Sequence, residues 1–174
     1  MSKFSSETAY HHGDLYQSLI NAALELITEN QETKTLSLRE VARRVGVSHT
    51  APYRHFVDKD ALLAAVAEEG FHILTLCLQN SLGNTSDDPL RGLQEIGVAY
   101  VKFAIAHPAH YRVMFGALRA DSQSYPSLSA AGQEAFTVMI NIIEIGQNVG
   151  KINPGESQHL AWVTWSLVHG LAML

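Results

Sequence analysis

Apolar residues return along most of this chain at intervals of three and four, the spacing that gathers them on one face of an α-helix. The fold class this predicts is all-α. Leu15, Leu19, Ala22, Ala23, Leu26 and Ile27 form such a stripe and predict a first helix from near Asp14 to near Glu29. Leu38, Val41, Ala42 and Val45 form a shorter one, with Arg39, Arg43 and Arg44 directed away from it. A long helix is predicted from Lys59 to about Leu82, and another from Pro89 to about His107 on Leu90, Leu93, Ile96, Gly97, Tyr100, Val101, Ala104 and Ile105. A short helix falls within 107–116, between Pro108 and Gly116. Phe136, Met139, Ile140, Ile143 and Ile145 mark a helix from about Ser127 to Val149. The last helix, from Glu156 on, contains HLAWVTWSLVHGLAML and is apolar on nearly every face, so it should lie between its own core and a second copy of the chain. A membrane span is not expected there, because the run is about fifteen residues against the roughly twenty required and holds His169 and Gly170.

The polar punctuation concentrates on residues 37 to 57, SLREVARRVGVSHTAPYRHFV. Ser37 with Glu40 three places on is a capping box, Leu36 ahead of it is a hydrophobic staple, and Gly46 is the left-handed residue that stops the helix. Ser48 is placed to cap a second helix carrying His49, Thr50, Ala51, Tyr53, Arg54 and His55, with Phe56 returning to the core. Pro52 is tolerable so close to a first turn. Two short helices about a Gly-containing turn make a helix-turn-helix, whose second helix presents its N-terminal residues to base edges in the major groove. Asp58 then caps the helix from Lys59, and Pro89 and Pro108 suit the first turns of their helices.

From about residue 10 to about residue 70 the sequence resembles the DNA-binding domain of the TetR-type repressor family. The pieces that carry the likeness are the capped helix, Gly46-Val47-Ser48, Tyr53-Arg54-His55-Phe56 and Lys59-Asp60-Ala61-Leu62, in order and at the right intervals. Trp165-x-x-x-His169-Gly170, His107-Pro108 and Tyr111 to Gly116 resemble the C-terminal sensing domain of one branch of that family, named for its Trp-His-Gly (WHG) pattern. The resemblance implies an N-terminal arm and helix-turn-helix domain over residues 1–57 and a helical effector-binding and dimerisation domain over 58–174, whose first helix bridges the two. It also implies a ligand-responsive repressor that binds a palindromic double-stranded operator as a homodimer and is released by a small apolar effector. Family members usually add a further helix that completes a dimer-forming four-helix bundle, whereas this chain stops at Leu174 on apolar residues.

Within the second helix, chemistry sorts the contacts. His49 and Thr50 are placed to read base edges, and Ala51 offers a methyl to thymine. Ser48, Tyr53, His55 and Lys59 are placed to meet the phosphate backbone, Lys59 at the positive end of its helix. Arg39 and Arg54 complete the expected DNA-binding set. The net charge of −5 argues against non-specific nucleic-acid binding, but its distribution does not. Residues 35–59 hold five basic residues (Arg39, Arg43, Arg44, Arg54, Lys59) against two acids (Glu40, Asp58), whereas residues 60–174 hold five basic and ten acidic ones. A basic patch on an acidic body is the footprint of a small DNA-contacting surface.

The expected effector pocket draws on Phe71, Leu74, Leu78, Tyr100, Phe103, Tyr111, Met114, Phe115, Met139, Ile143, Trp162, Trp165 and His169, with Tyr100, Tyr111 or His169 as the orienting hydrogen-bond donor. No cofactor and no metal is expected: His11 with His12, and His107 with His110, lack a third ligand at suitable spacing. Residues 1–12 read as an arm in which Lys3, His11 and His12 reach toward phosphate or stay solvated. The N-terminus MSKFSSETAYHHGD has no secretory apolar run, and the lone Cys77 fits a reducing cytoplasm. An enzyme built on His107, His110, His169 or Cys77 is not favoured, because no nucleophile stands beside a base and no Gly-rich phosphate loop occurs. A helical adaptor that binds protein through its apolar faces is the other competing class.

Overall fold

The computed structural model describes residues 12–83, 88–117 and 124–174, and every regular element in them is helical. The arm expected over residues 1–12, with Lys3 and His11, lies almost wholly outside them. Seven α-helices follow in order: α1 His12–Asn30, α2 Leu38–Val45, α3 Lys59–Leu82, α4 Pro89–Ala106, α5 Pro108–Arg112, α6 Pro126–Asn148 and α7 Ser157–Ala172. A four-residue 3₁₀ helix, Ala51–Arg54, stands between α2 and α3, and a wide π turn, Val113–Ala117, continues α5. The chain divides into two compact units, residues up to Leu62 and residues from Leu63 onward, so α3 runs from one into the other.

In the first unit α1 packs on α2, and α2 on the 3₁₀ helix. Leu19, Ala23 and Ile27 are fully buried, Leu38, Val41 and Ala42 close the α2 side, and Phe56 returns inward at 3% exposure, as its place in the pattern predicts. Burying the Leu, Ile, Val and Phe side chains among these contributes roughly 1.5–3 kcal/mol each relative to leaving them in water.

In the second unit α4, α6 and α7 pack on one another and α5 packs against α4. Asp88 caps α4 by accepting the Arg91 N–H at 3.2 Å, with Pro89 in the first turn where its missing N–H costs nothing. Ile96, Ala99, Tyr100 and Phe103 form the inner face of α4. The sequence stripe was too broad here: Leu90 and Ile105 are exposed, and nine residues is two and a half helical turns, which puts Ile105 opposite Ile96. On α6, Ile145 is likewise exposed while Val138, Met139, Ile142 and Ile143 are buried. The α6–α7 connection is tight. Gly146 accepts both the Lys151 and Ile152 N–H groups, at 2.8 and 3.0 Å, and Gln147 donates to the Asn153 and Gly155 carbonyls.

α7 buries only Ala161 fully and exposes Val163, Leu167 and Leu171. Among the described residues the helix long and apolar enough to cross a membrane is α3, and half of its most apolar window is buried inside the protein, as in a core helix.

Candidate functional site

Two places carry candidate chemistry, one in each unit. The first begins at the cap of α2, where Ser37 Oγ accepts the Glu40 N–H at 3.2 Å. At the other end Gly46, at φ 79°, donates to Ala42 and Arg43, and Val47 donates to Ala42 at 3.0 Å, a left-handed stop that turns the chain sharply. Ser48, His49 and Thr50 follow in the open, all exposed.

The second helix differs from expectation. An α-helix capped at Ser48 needs residue 52 to donate to the Ser48 carbonyl, and Pro52 has no N–H. Ala51 donates to that carbonyl instead, at 3.0 Å, which tightens the stretch to 3₁₀ geometry over Ala51–Arg54. The Ser48 hydroxyl consequently does not cap; it lies 3.1 Å from Thr50 Oγ1. Pro52 is buried, and its carbonyl takes the N–H groups of both His55 and Phe56 at 2.9 Å, which ends the element.

Of the residues expected to face DNA, Arg39, Ser48, His49, Thr50, Tyr53 and Arg54 are exposed, Tyr53 at 52%, and Ala51 is half-buried. Two stand otherwise. The His55 ring turns inward, edge-on to Tyr16 at 6.0 Å and beside Phe56, with its Nε2 buried, so it packs the unit rather than gripping a phosphate. Lys59 Nζ donates to the Lys34 carbonyl at 3.4 Å. The basic patch is also smaller than its residue count, because Arg44 pairs with Glu25 and Glu29 of α1.

The second place is a cavity of about 300 Å³ in the second unit. α3 supplies Phe71, Leu74 and Leu78; α4 supplies Tyr100; the π turn supplies Phe115; α6 supplies Gly132, Gln133, Ala135, Phe136 and Met139; α7 supplies Trp162 and Trp165. Phe103, Tyr111, Met114, Ile143 and His169, expected in the lining, stand outside it. Phe103 and Ile143 are buried core, and the Met114 thioether fills the space against Gly70, where a Cβ would meet its sulfur at 2.6 Å. The α6 residues Gly132, Gln133, Ala135 and Phe136 line the cavity without having been expected there. Gly132 and Ala135 are small residues three apart on α6, and a Cβ at Gly132 would meet the Phe71 ring at 3.7 Å, an ordinary contact.

Beside the cavity Tyr100, Tyr111 and His169 form a polar cluster. Both phenol oxygens lie 2.8 Å from His169 Nδ1 and 3.4 Å from each other. The His169 ring stacks on Trp165 at 4.5 Å. Burial raises the Tyr100 phenol far above its usual range, with the Tyr111 hydroxyl adding to the shift and the Trp165 indole opposing it. Burial also raises Tyr111 and lowers His169, so both phenols and the imidazole are held neutral. His107 is lowered by burial and by the neighbouring His110, whose Nε2 sits 3.1 Å from Glu69. Among the described residues no group of three or more His, Cys, Asp or Glu stands ready to hold a metal.

Comparison with known proteins completes the picture. Residues 19–66 match the family described as bacterial regulatory proteins, tetR family, and residues 93–174 match the tetracyclin repressor-like C-terminal domain. The chain belongs to the TetR family. A Rhodococcus sp. RHA1 protein described as of unknown function is 34% identical, with 97% of this chain and 86% of that one covered at a TM-score of 0.84. A second Rhodococcus RHA1 structure, a bacterial regulatory protein in the tetR family, is 23% identical, with 91% and 83% covered and a TM-score of 0.74. The fold is shared also with the regulator FadR from Bacillus subtilis in complex with stearoyl-CoA, at 15% identity, 90% and 84% coverage and a TM-score of 0.74. The TetR chain described here is thus an all-α, DNA-binding transcriptional regulator by family.

Proposed function

We propose that this TetR-family regulator is a ligand-responsive repressor, that it binds a palindromic operator as a homodimer, and that a small apolar effector releases it. The observation that carries the reading is the turn Ser48–Thr50: three exposed polar residues, held at the mouth of a rigid Gly46 stop and a buried Pro52, with no core to fill. His49 and Thr50 read base edges, and Ala51 offers its methyl. Ser48, Tyr53, Arg54 and Arg39 position the protein on phosphates, and Lys59, with one of its three donors on the Lys34 carbonyl, keeps the others for a phosphate at the positive end of α3.

Two such turns in a symmetric dimer must stand roughly 34–36 Å apart to meet both half-sites. An effector shifts that spacing only by as much as its affinity differs between the two arrangements. The apolar cavity supports an effector of low polarity, and Trp165-x-x-x-His169-Gly170 supports placing the second unit in the WHG branch. The exposed apolar residues of α7 support pairing through that helix.

The test is fluorescence anisotropy with the chain's own upstream DNA across a salt series. Thr50→Ala or His49→Ala should weaken specific binding by roughly 1–3 kcal/mol while leaving non-specific binding in place. Arg39→Ala should weaken both and lower the salt slope by about one. Full specific affinity in the His49→Ala, Thr50→Ala double variant defeats the reading.

A further inference from the structure

The three-way contact beside the cavity has more donors than it can satisfy. His169 Nδ1 offers a single lone pair in one neutral tautomer and none in the other. Two phenol oxygens nevertheless sit 2.8 Å from it, and at 3.4 Å the phenols make a poor bond to each other. In either tautomer at least one phenol proton lacks a strong acceptor within the cluster. Only one of these phenols belongs to the cavity wall: Tyr100 lines it, beside Trp165, whereas Tyr111 and His169 stand behind.

The wall also sets the kind of ligand. Phe71, Tyr100, Phe115, Phe136, Trp162 and Trp165 surround the space, with Trp162 and Trp165 edge to face at 5.6 Å and Phe71 and Phe115 edge to face at 5.8 Å. Such an arrangement offers both faces and edges to a further ring. Among the described lining residues there is no cation and no anion, so a charged group placed inside would be buried without a partner. Filled to the density of a protein interior, about 300 Å³ takes on the order of 12–18 non-hydrogen atoms.

We infer that the cavity takes an uncharged one- or two-ring aromatic molecule bearing a single hydrogen-bond-accepting oxygen, and that Tyr100 donates its phenol proton to that oxygen while Tyr111 keeps His169. The ligand oxygen fills a deficit instead of breaking a satisfied bond, so it gains the full difference between a made and an unmade buried hydrogen bond. This deepens the effector reading above and rests on it for its biological meaning, though not for its chemistry.

Trp162 and Trp165 are the two tryptophans of the chain and both line the cavity, so intrinsic fluorescence reads occupancy directly. Titrate wild type, Tyr100→Phe and Tyr111→Phe with 1-tetralone, with tetralin, which lacks the oxygen, and with stearoyl-CoA. Wild type should bind tetralone roughly tenfold more tightly than tetralin, Tyr100→Phe should bind the two about equally, and Tyr111→Phe, which leaves the His169 lone pair to Tyr100 and so removes the deficit, should narrow the preference. Equal binding of the two compounds to wild type, a preference that survives in Tyr100→Phe, tighter binding of the charged thioester, or no quenching at all each overturns the assignment. Anisotropy with operator DNA in the same samples separates the two proposals. Tetralone bound without any change in DNA affinity leaves this assignment standing and removes the effector role.

Discussion

Arg44 reaches from α2 back to α1, its Nη2 2.6 Å from Glu29 Oε2 and its Nη1 2.8 Å from Oε1, a two-pronged grip that Glu25 extends at 3.1 Å. These bonds raise the Arg44 guanidinium and hold the Glu29 carboxyl below its ordinary value of 4.5. The charge is therefore spent within the first unit rather than on a phosphate. Arg44→Ala should lower Tm at low salt, with a deficit that shrinks in 1 M NaCl, and should leave the salt slope of operator binding unchanged. A depressed carboxylate stabilises fully above its unfolded pKa, so the deficit should also fade as pH falls below about 4.5 and through the lowered folded value. Scanning calorimetry over pH 3–7 at two salt concentrations reads both.

The α6–α7 connection makes a packing prediction. A Cβ on Gly146 would meet Ile152 Cδ1 at 2.6 Å and Cγ1 at 2.8 Å. Gly146→Ala should therefore cost roughly 1–3 kcal/mol in urea unfolding. Shortening the neighbour with Ile152→Val in the same chain should recover part of it. A double variant as unstable as the sum of the two singles would show that the clash is not the cause.

Two histidines set a window in pH. Burial holds His169 and His107 below the ordinary histidine value of 6.5, so the unfolded chain binds their protons first. Stability is then fully present above about pH 6.5 and is lost as pH falls through that value toward the folded pKa. The urea midpoint should drop between pH 7.5 and 5.5, a range above the ordinary carboxylate values. A His107→Gln, His169→Gln double variant should show a flatter profile, and an unchanged slope would assign the loss to other groups.

Leu167, 71% exposed on α7, tests the pairing surface. Leu167→Glu touches no core, so Tm measured at high dilution should hold. On the proposed pairing, light scattering should report a dimer for wild type and a monomer for the variant, and operator affinity should fall at least tenfold because one half-site goes unread. A dimeric variant would move the interface elsewhere.

What was legible in the sequence were the features that depend on local chemistry. The Ser37 and Asp58 caps, the Gly46 stop and the helix bounds at Lys59 and Leu82 follow from which groups can bond within a turn, and they stand where the residues predict. The second helix was misjudged because one missing N–H, that of Pro52, outweighs a good capping residue four positions earlier. The cavity was half legible. Large apolar residues nominated both its true wall and the neighbouring core, since Phe103 and Phe115 look alike until packing places one fully inside. Gly132 and Ala135 were missed because a pocket is made as much by small side chains as by large ones. The partners of Arg44 and His55 were not legible for a related reason: periodicity gives the side of a helix but not the partner waiting there.

The exposed run Ser48-His49-Thr50 is seated on a scaffold to which it contributes almost nothing, since Gly46 and Pro52 fix the backbone on either side. On the DNA-reading role proposed for these residues, address and chassis are separable. Exchanging those three side chains should redirect the protein to another DNA sequence with little change in melting temperature, and a library varied at these positions alone should stay folded throughout.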